Sequence, residues 1–246
     1  MAAETRNPVF TRAAFGARAA VTGETMTLAG VMGKSLLLLA ICFAGMLYVW
    51  EGMPGIGLSG AVVNRLFIGG FIGGVGLLLY TRGRPERAIF TGPLYAILQG
   101  LVIGALTLVL QARYRGLPVQ AALLTVTTLV AMLIGYRTGL IRASEKFRTI
   151  VSSCTLSVFL FYIITFAVSF LGVDIPFLHE GGVLGIGFSL FVVVLASLNL
   201  ILDFDFIERG IGSAPAAYEW VAAFGLVVTL IWLYMEMLRL LTKLRR

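Results

Sequence analysis

The feature that most constrains this chain is the recurrence of long, nearly uncharged apolar runs. Seven runs, at 35–50, 61–80, 92–110, 119–136, 150–171, 182–202 and 217–241, alternate with short charged stretches. About 20 helical residues cross the hydrocarbon layer of a bilayer, because each adds about 1.5 Å. Runs of this length and spacing predict seven membrane-spanning helices, the sixth continuing in helical form to Glu208.

The competing fold classes fail on simple grounds. A soluble domain with so large an apolar core needs a polar coat. Only 13% of these residues are charged and 59% are hydrophobic, against about a quarter and about half in a typical soluble domain. Membrane strands would alternate apolar with polar residues, whereas these runs are continuous. The expected fold is an all-α polytopic bundle occupying 31–246, preceded by an N-terminal tail at 1–30.

The run ends agree with this reading. Trp50, Tyr80, Tyr95, Tyr114, Tyr136, Tyr218 and Trp220 lie at or near them, where amphipathic rings settle at the membrane–water boundary. Turn chemistry separates most runs, as in Met53-Pro54-Gly55, Gly83-Arg84-Pro85, Arg115-Gly116-Leu117-Pro118 and Gly212-Ser213-Ala214-Pro215.

Orientation follows from Lys and Arg, which accumulate on the cytoplasmic side. With the N-terminus inside, twelve fall inside and seven outside, four of the seven in the last eight residues. The internal loops therefore predict a cytoplasmic N-terminus and an external C-terminus, against the pull of the basic end.

The tail is mildly basic and lacks the contiguous apolar core of a signal peptide. It reads as disordered or lying on the surface. The net charge of +7 is dispersed at span ends, not gathered on one soluble face as nucleic-acid binding requires. Cys42 and Cys154 lie in apolar runs without metal-ligand spacing and read as small buried hydrophobes.

Few residues carry chemistry. Gly69, Gly70, Gly73, Gly74 and Gly76 in the second span have the spacing of close helix packing; a flexible gate is the sharper reading. The most unusual segment is 199–209, where three acids end a span. Ionisable groups at that depth face a polar cavity or a partner. Asp203 lies four residues after Asn199, on one helix face. Asp205 lies about 200° round the helix, so Asp203 is expected inward and Asp205 or Glu208 at the interface. A purely structural alternative is an acidic helix end beside Arg209. Glu219 follows Pro215 at the start of the last span, where an acid complements the helix dipole. Glu236 and Arg239, three apart, read as a local ion pair.

No catalytic constellation is found in the sequence. His179, the single histidine, falls in a loop beside Glu180. It is out of reach of a nucleophile within the membrane and reads as solvated or as a pH sensor. A paired-aspartate intramembrane protease needs a Gly-x-Gly-Asp segment, yet Gly210-Ile211-Gly212 is followed by Ser213. No enzyme activity and no cofactor are expected.

Several landmarks are familiar in combination. They are Asn7-Pro8, Gly92-Pro93-Leu94-Tyr95-Ala96 with Gly100 and Gly104, and Gly116 with Gln120-Ala121. Gly185-Ile-Gly-Phe-Ser189-Leu and Leu202-Asp203-Phe-Asp205-Phe-Ile207 follow. Glu219-Trp220 with Phe224-Gly225-Leu, and Leu233-Tyr-x-Glu236-x-Leu238-Arg239, complete the set. In this order they resemble the Bax inhibitor-1 superfamily, and more closely its bacterial Bax inhibitor-1/YccA branch. The resemblance implies seven spans in a bacterial inner membrane and a pH-sensitive Ca²⁺ leak. It implies an aspartate on each of the last two helices and an arginine latch ending the second. The sixth-helix aspartate maps to Asp203, which would also be the transient Ca²⁺ ligand. The latch maps to Arg82, with Arg84 as a close second. The seventh-helix aspartate maps to Thr229 when anchored on Leu238-Arg239, the preferred register, or to Glu236 when anchored on Leu233-Tyr234. Asn199, Asp205 and Thr229 are the further oxygens expected for a cation, with Glu219 or Asp205 expected to compensate for the missing second acid, and protonation of Asp203 would change its pairing with Arg82. The resemblance also admits a non-transporting regulator that binds a membrane quality-control protease through its tail.

Overall fold

A computed structural model describes residues 24–52, 60–170 and 182–245. The tail before Glu24, the Met53-Pro54-Gly55 turn and His179 lie outside the described residues. Among those described are seven α-helices. They are α1 (Leu28–Gly52), α2 (Gly60–Gly83), α3 (Ala88–Arg113), α4 (Leu117–Arg137), α5 (Glu145–Phe170), α6 (Val183–Gly210) and α7 (Tyr218–Leu244). A short 3₁₀ turn, Pro85–Arg87, joins α2 to α3.

The expected all-α membrane architecture holds. Helices α1 and α3 to α7 each contain a span long and apolar enough to cross a bilayer. Helix α2 has 24 residues, enough in length for a crossing. Most helices outrun the apolar runs that announced them, because a helix continues into the boundary layer until a turn residue stops it. Helix α6 extends past Glu208 to Gly210. Gly212 then takes a left-handed backbone (φ 72°), which glycine adopts without steric cost.

The chain forms two compact units, and α6 and α7 contribute to both. The first comprises residues 1–115 and 205–228. Its tightest packing joins α1 to α3. A methyl group built on Gly100 would meet the Cys42 carbonyl oxygen and lie 3.1 Å from the Gly45 Cα. One built on Gly104 would lie 2.8 Å from the Met46 carbonyl oxygen. Small residues four apart thus let two backbones touch, the packing mode of helices in lipid. The glycines of α2 serve packing less uniformly. Gly70, Gly73 and Gly74 face Val102, Leu98 and Gln99 of α3, whereas Gly69 and Gly76 face open space. Near the end of this unit Met26, Val31, Ala88, Phe206, Ile207, Ala214, Val221 and Ala222 form a buried apolar cluster.

Residues 24–27 are stitched to the loop between α6 and α7. The Ala216 N–H donates to the Glu24 carbonyl, Met26 N–H to Ala214, and Gly212 N–H to the Met26 carbonyl. Thr25 and Pro215 form an antiparallel bridge. The strap leaves its backbone groups paired where α1 begins.

The second unit comprises residues 116–204 and 229–246. Val151, Val158, Val192 and Leu195 are its buried centre, with Phe147, Tyr162, Phe188, Leu202 and Trp232 packed around them.

Candidate functional site

Within the second unit a line of buried polar groups runs between α5, α6 and α7. Asp203 on α6 marks one end and is 1% exposed. Both of its carboxylate oxygens are buried without a hydrogen bond of ordinary geometry among the described residues. The Thr229 hydroxyl of α7 interacts with this carboxyl outside that geometry. A buried carboxyl left this poorly satisfied costs stability, and such costs concentrate at functional positions.

One helical turn before Asp203, the Asn199 side-chain amide donates to the Thr155 hydroxyl of α5 at 2.8 Å and to the Leu195 carbonyl at 2.8 Å. Seven residues after Thr155 on the same helix stands Tyr162. Its hydroxyl donates to Glu236 of α7 at 3.0 Å and accepts from Arg239. Arg239 donates to both Glu236 oxygens, at 2.8 and 2.9 Å. At the far end the Lys243 ammonium, buried, donates to the Gly185 carbonyl at 2.9 Å. Thr229, Glu236 and Lys243 recur every seventh residue, close to two full turns, so α7 presents them on one face.

The expected site residues separate into groups. Asp203, Thr229, Asn199 and Glu236 all belong to this line. Asp203 is inward, as its spacing from Asn199 predicts. Asp205 lies in the first unit and is also buried, with its carboxylate 3.2 Å from Arg209, one turn on. Of the two candidates for the interface, Glu208 is the exposed one.

Glu219 is buried in the first unit and does more than face a helix dipole. It accepts from the Thr27 backbone N–H and hydroxyl, each at 2.8 Å, and pairs with the Lys34 ammonium. Lys34 also lies 5.6 Å from the centre of the Trp220 ring. Arg82 is exposed in the last turn of α2. Arg84 and Arg87 lie over the Tyr80 ring, at 5.8 and 5.5 Å.

Sequence reasoning missed Thr155, Tyr162 and Lys243. A signal existed for the first two: they lie seven apart inside an apolar run, and a mid-span tyrosine needs a partner for its hydroxyl. Lys243 gave no signal, since a basic residue at a span end ordinarily reaches the interface.

Among the described residues no cluster of three or more His, Cys, Asp or Glu side chains could hold a metal ion.

No curated protein and no solved structure matches the chain. The Bax inhibitor 1 like family matches it over residues 7–246, which span both units. The chain is therefore a membrane protein of the Bax inhibitor 1 like family.

Proposed function

We propose that this protein is a pH-sensitive cation leak of a bacterial cytoplasmic membrane, with Ca²⁺ as cargo and Asp203 as the gate. The single observation that carries the reading is the buried Asp203 carboxyl, whose two oxygens lack well-formed hydrogen bonds among the described residues. Hard cations take oxygen ligands, and Thr229 and Asn199 add polar atoms along the same line. Arg82 is the latch that pairs with Asp203 in its charged form; protonation releases it. The stacking of Arg84 and Arg87 on Tyr80 supports Arg82 over Arg84 for that role. The N-terminus is cytoplasmic and the C-terminus external, as the basic internal loops favour.

The test is Ca²⁺ flux into liposomes containing the purified chain, followed at two pH values. Asp203→Asn abolishes the pH dependence. A variant with the parental pH profile rejects the gate.

A second reading is a regulator that engages a membrane protease through its N-terminal tail, the part of the chain that precedes the strap at residues 24–27. Deleting the tail ahead of it then removes regulation and spares flux.

A further inference from the structure

The polar line contains a second carboxylate, and the chain's own arginine fills its ligand positions. Glu236 is 2% exposed at its side chain, whereas Arg239 is 34% exposed. One guanidinium nitrogen of Arg239 donates to both Glu236 oxygens. The Tyr162 hydroxyl lies on the same nitrogen and on the same carboxylate. The guanidinium carbon stands 4.9 Å from the centre of the Tyr162 ring. A carboxylate, a phenol oxygen and an aromatic face are the components of a cation site. Here the cation is covalently tethered, one helical turn from the acid it neutralises.

This site lies on the proposed route. Glu236 is seven residues beyond Thr229 on α7, about 10 Å along the helix, and Thr229 faces Asp203. Beyond the Asn199–Thr155 pair, the next carboxylate along this line is Glu236. With Arg239 in place, that carboxylate is already compensated, and a second positive charge at the same oxygens is repelled. The guanidinium is anchored at the buried carboxylate while 34% of the arginine side chain remains exposed.

We infer that Arg239 is an internal plug: it occupies a cation site formed by Glu236 and Tyr162, and an ion passes only when the guanidinium is displaced. This inference rests on the proposed leak and adds a gate separate from Asp203.

The experiment is Ca²⁺ flux into liposomes holding the full chain, with and without added guanidinium chloride. Arg239→Gln raises flux about tenfold, a lower bound for losing a buried charge pair. Free guanidinium at millimolar concentration restores the block in that variant and leaves the parent unchanged. Arg239→Lys retains much of the block, because it keeps a tethered cation. Tyr162→Phe, which preserves the ring packed in the core, raises flux by a smaller factor. Adding Glu236→Gln to Arg239→Gln removes both the excess flux and the response to guanidinium. A parent that leaks through Asp203, with an Arg239→Gln variant that leaks no faster and ignores guanidinium, overturns the plug alone. A parent no leakier than protein-free liposomes overturns the leak and the plug together.

Discussion

Glu219 accepts two hydrogen bonds from Thr27, one from its backbone and one from its hydroxyl, across 192 residues of sequence. With the Lys34 ion pair, this ties the residue just before α1 to the first turn of α7. Glu219→Ala removes the acceptor of a backbone N–H and the counter-charge of a largely buried ammonium. The expected loss is about 3 kcal/mol, in the range for breaking a buried pair by removing one partner. Thr27→Val keeps the ion pair and the backbone bond and costs about 1 kcal/mol. Thermal unfolding of the purified variants in detergent checks the order.

Gly30 is the companion of this clamp. A methyl group there would collide with the Glu219 carboxylate. The carboxylate sits at the end of a flexible side chain, but Thr27 and Lys34 hold it. Gly30→Ala therefore destabilises by dislodging the clamp, by about 1–3 kcal/mol. In a Glu219→Ala background the same substitution is nearly neutral. A double-mutant cycle measures the difference; additive losses would mean that the methyl acts elsewhere.

Asp203 predicts the opposite sign. A carboxyl without well-formed hydrogen bonds contributes nothing that an apolar group of similar size would not, and its burial is costly. Asp203→Leu raises thermal stability by about 1–3 kcal/mol while removing the pH dependence of flux. A loss of stability on this substitution would show that the carboxyl is satisfied in the folded protein. Asn199→Leu goes the other way, because it removes the interhelical hydrogen bond to the Thr155 hydroxyl, which keeps only its bond to the Val151 carbonyl. It costs about 1 kcal/mol, the scale of a hydrogen bond between helices in lipid.

Two glycine positions with the same residue type separate by environment. Gly100→Ala pushes α1 from α3 and lowers stability by about 1–3 kcal/mol, because backbone is what it strikes. Gly76→Ala meets open space and is neutral or raises stability by up to about 1 kcal/mol through helix propensity. Unfolding midpoints of the pair provide the comparison.

The helices were legible because membrane spans are written in composition, and composition needs no knowledge of neighbours. Asp203 was legible as inward because Asn199 lies four residues before it, a purely local relation. The partners of these residues were not legible. Thr155 meets Asn199 across 44 residues, and Tyr162 meets Glu236 across 74. No period within one helix encodes which face of another helix it will touch. The pairing of Glu236 with Arg239 was visible because it spans a single turn, but the tyrosine that completes it was not. Glu219 misled in a similar way. Its place in the first turn of a helix already explains an acid, so nothing in the sequence called for a second explanation 192 residues away.

The contact of α1 with α3 has a practical consequence. Gly45, Gly100 and Gly104 bring main chain against main chain, with the β-branched Val49 packed beside Gly104, so the junction has little rotamer freedom. Helices joined this way cohere by dispersion and not by exclusion of water, so a micelle should hold them as well as a bilayer does. In any spectroscopic study that follows movement through attached labels, these two helices provide the stationary ruler.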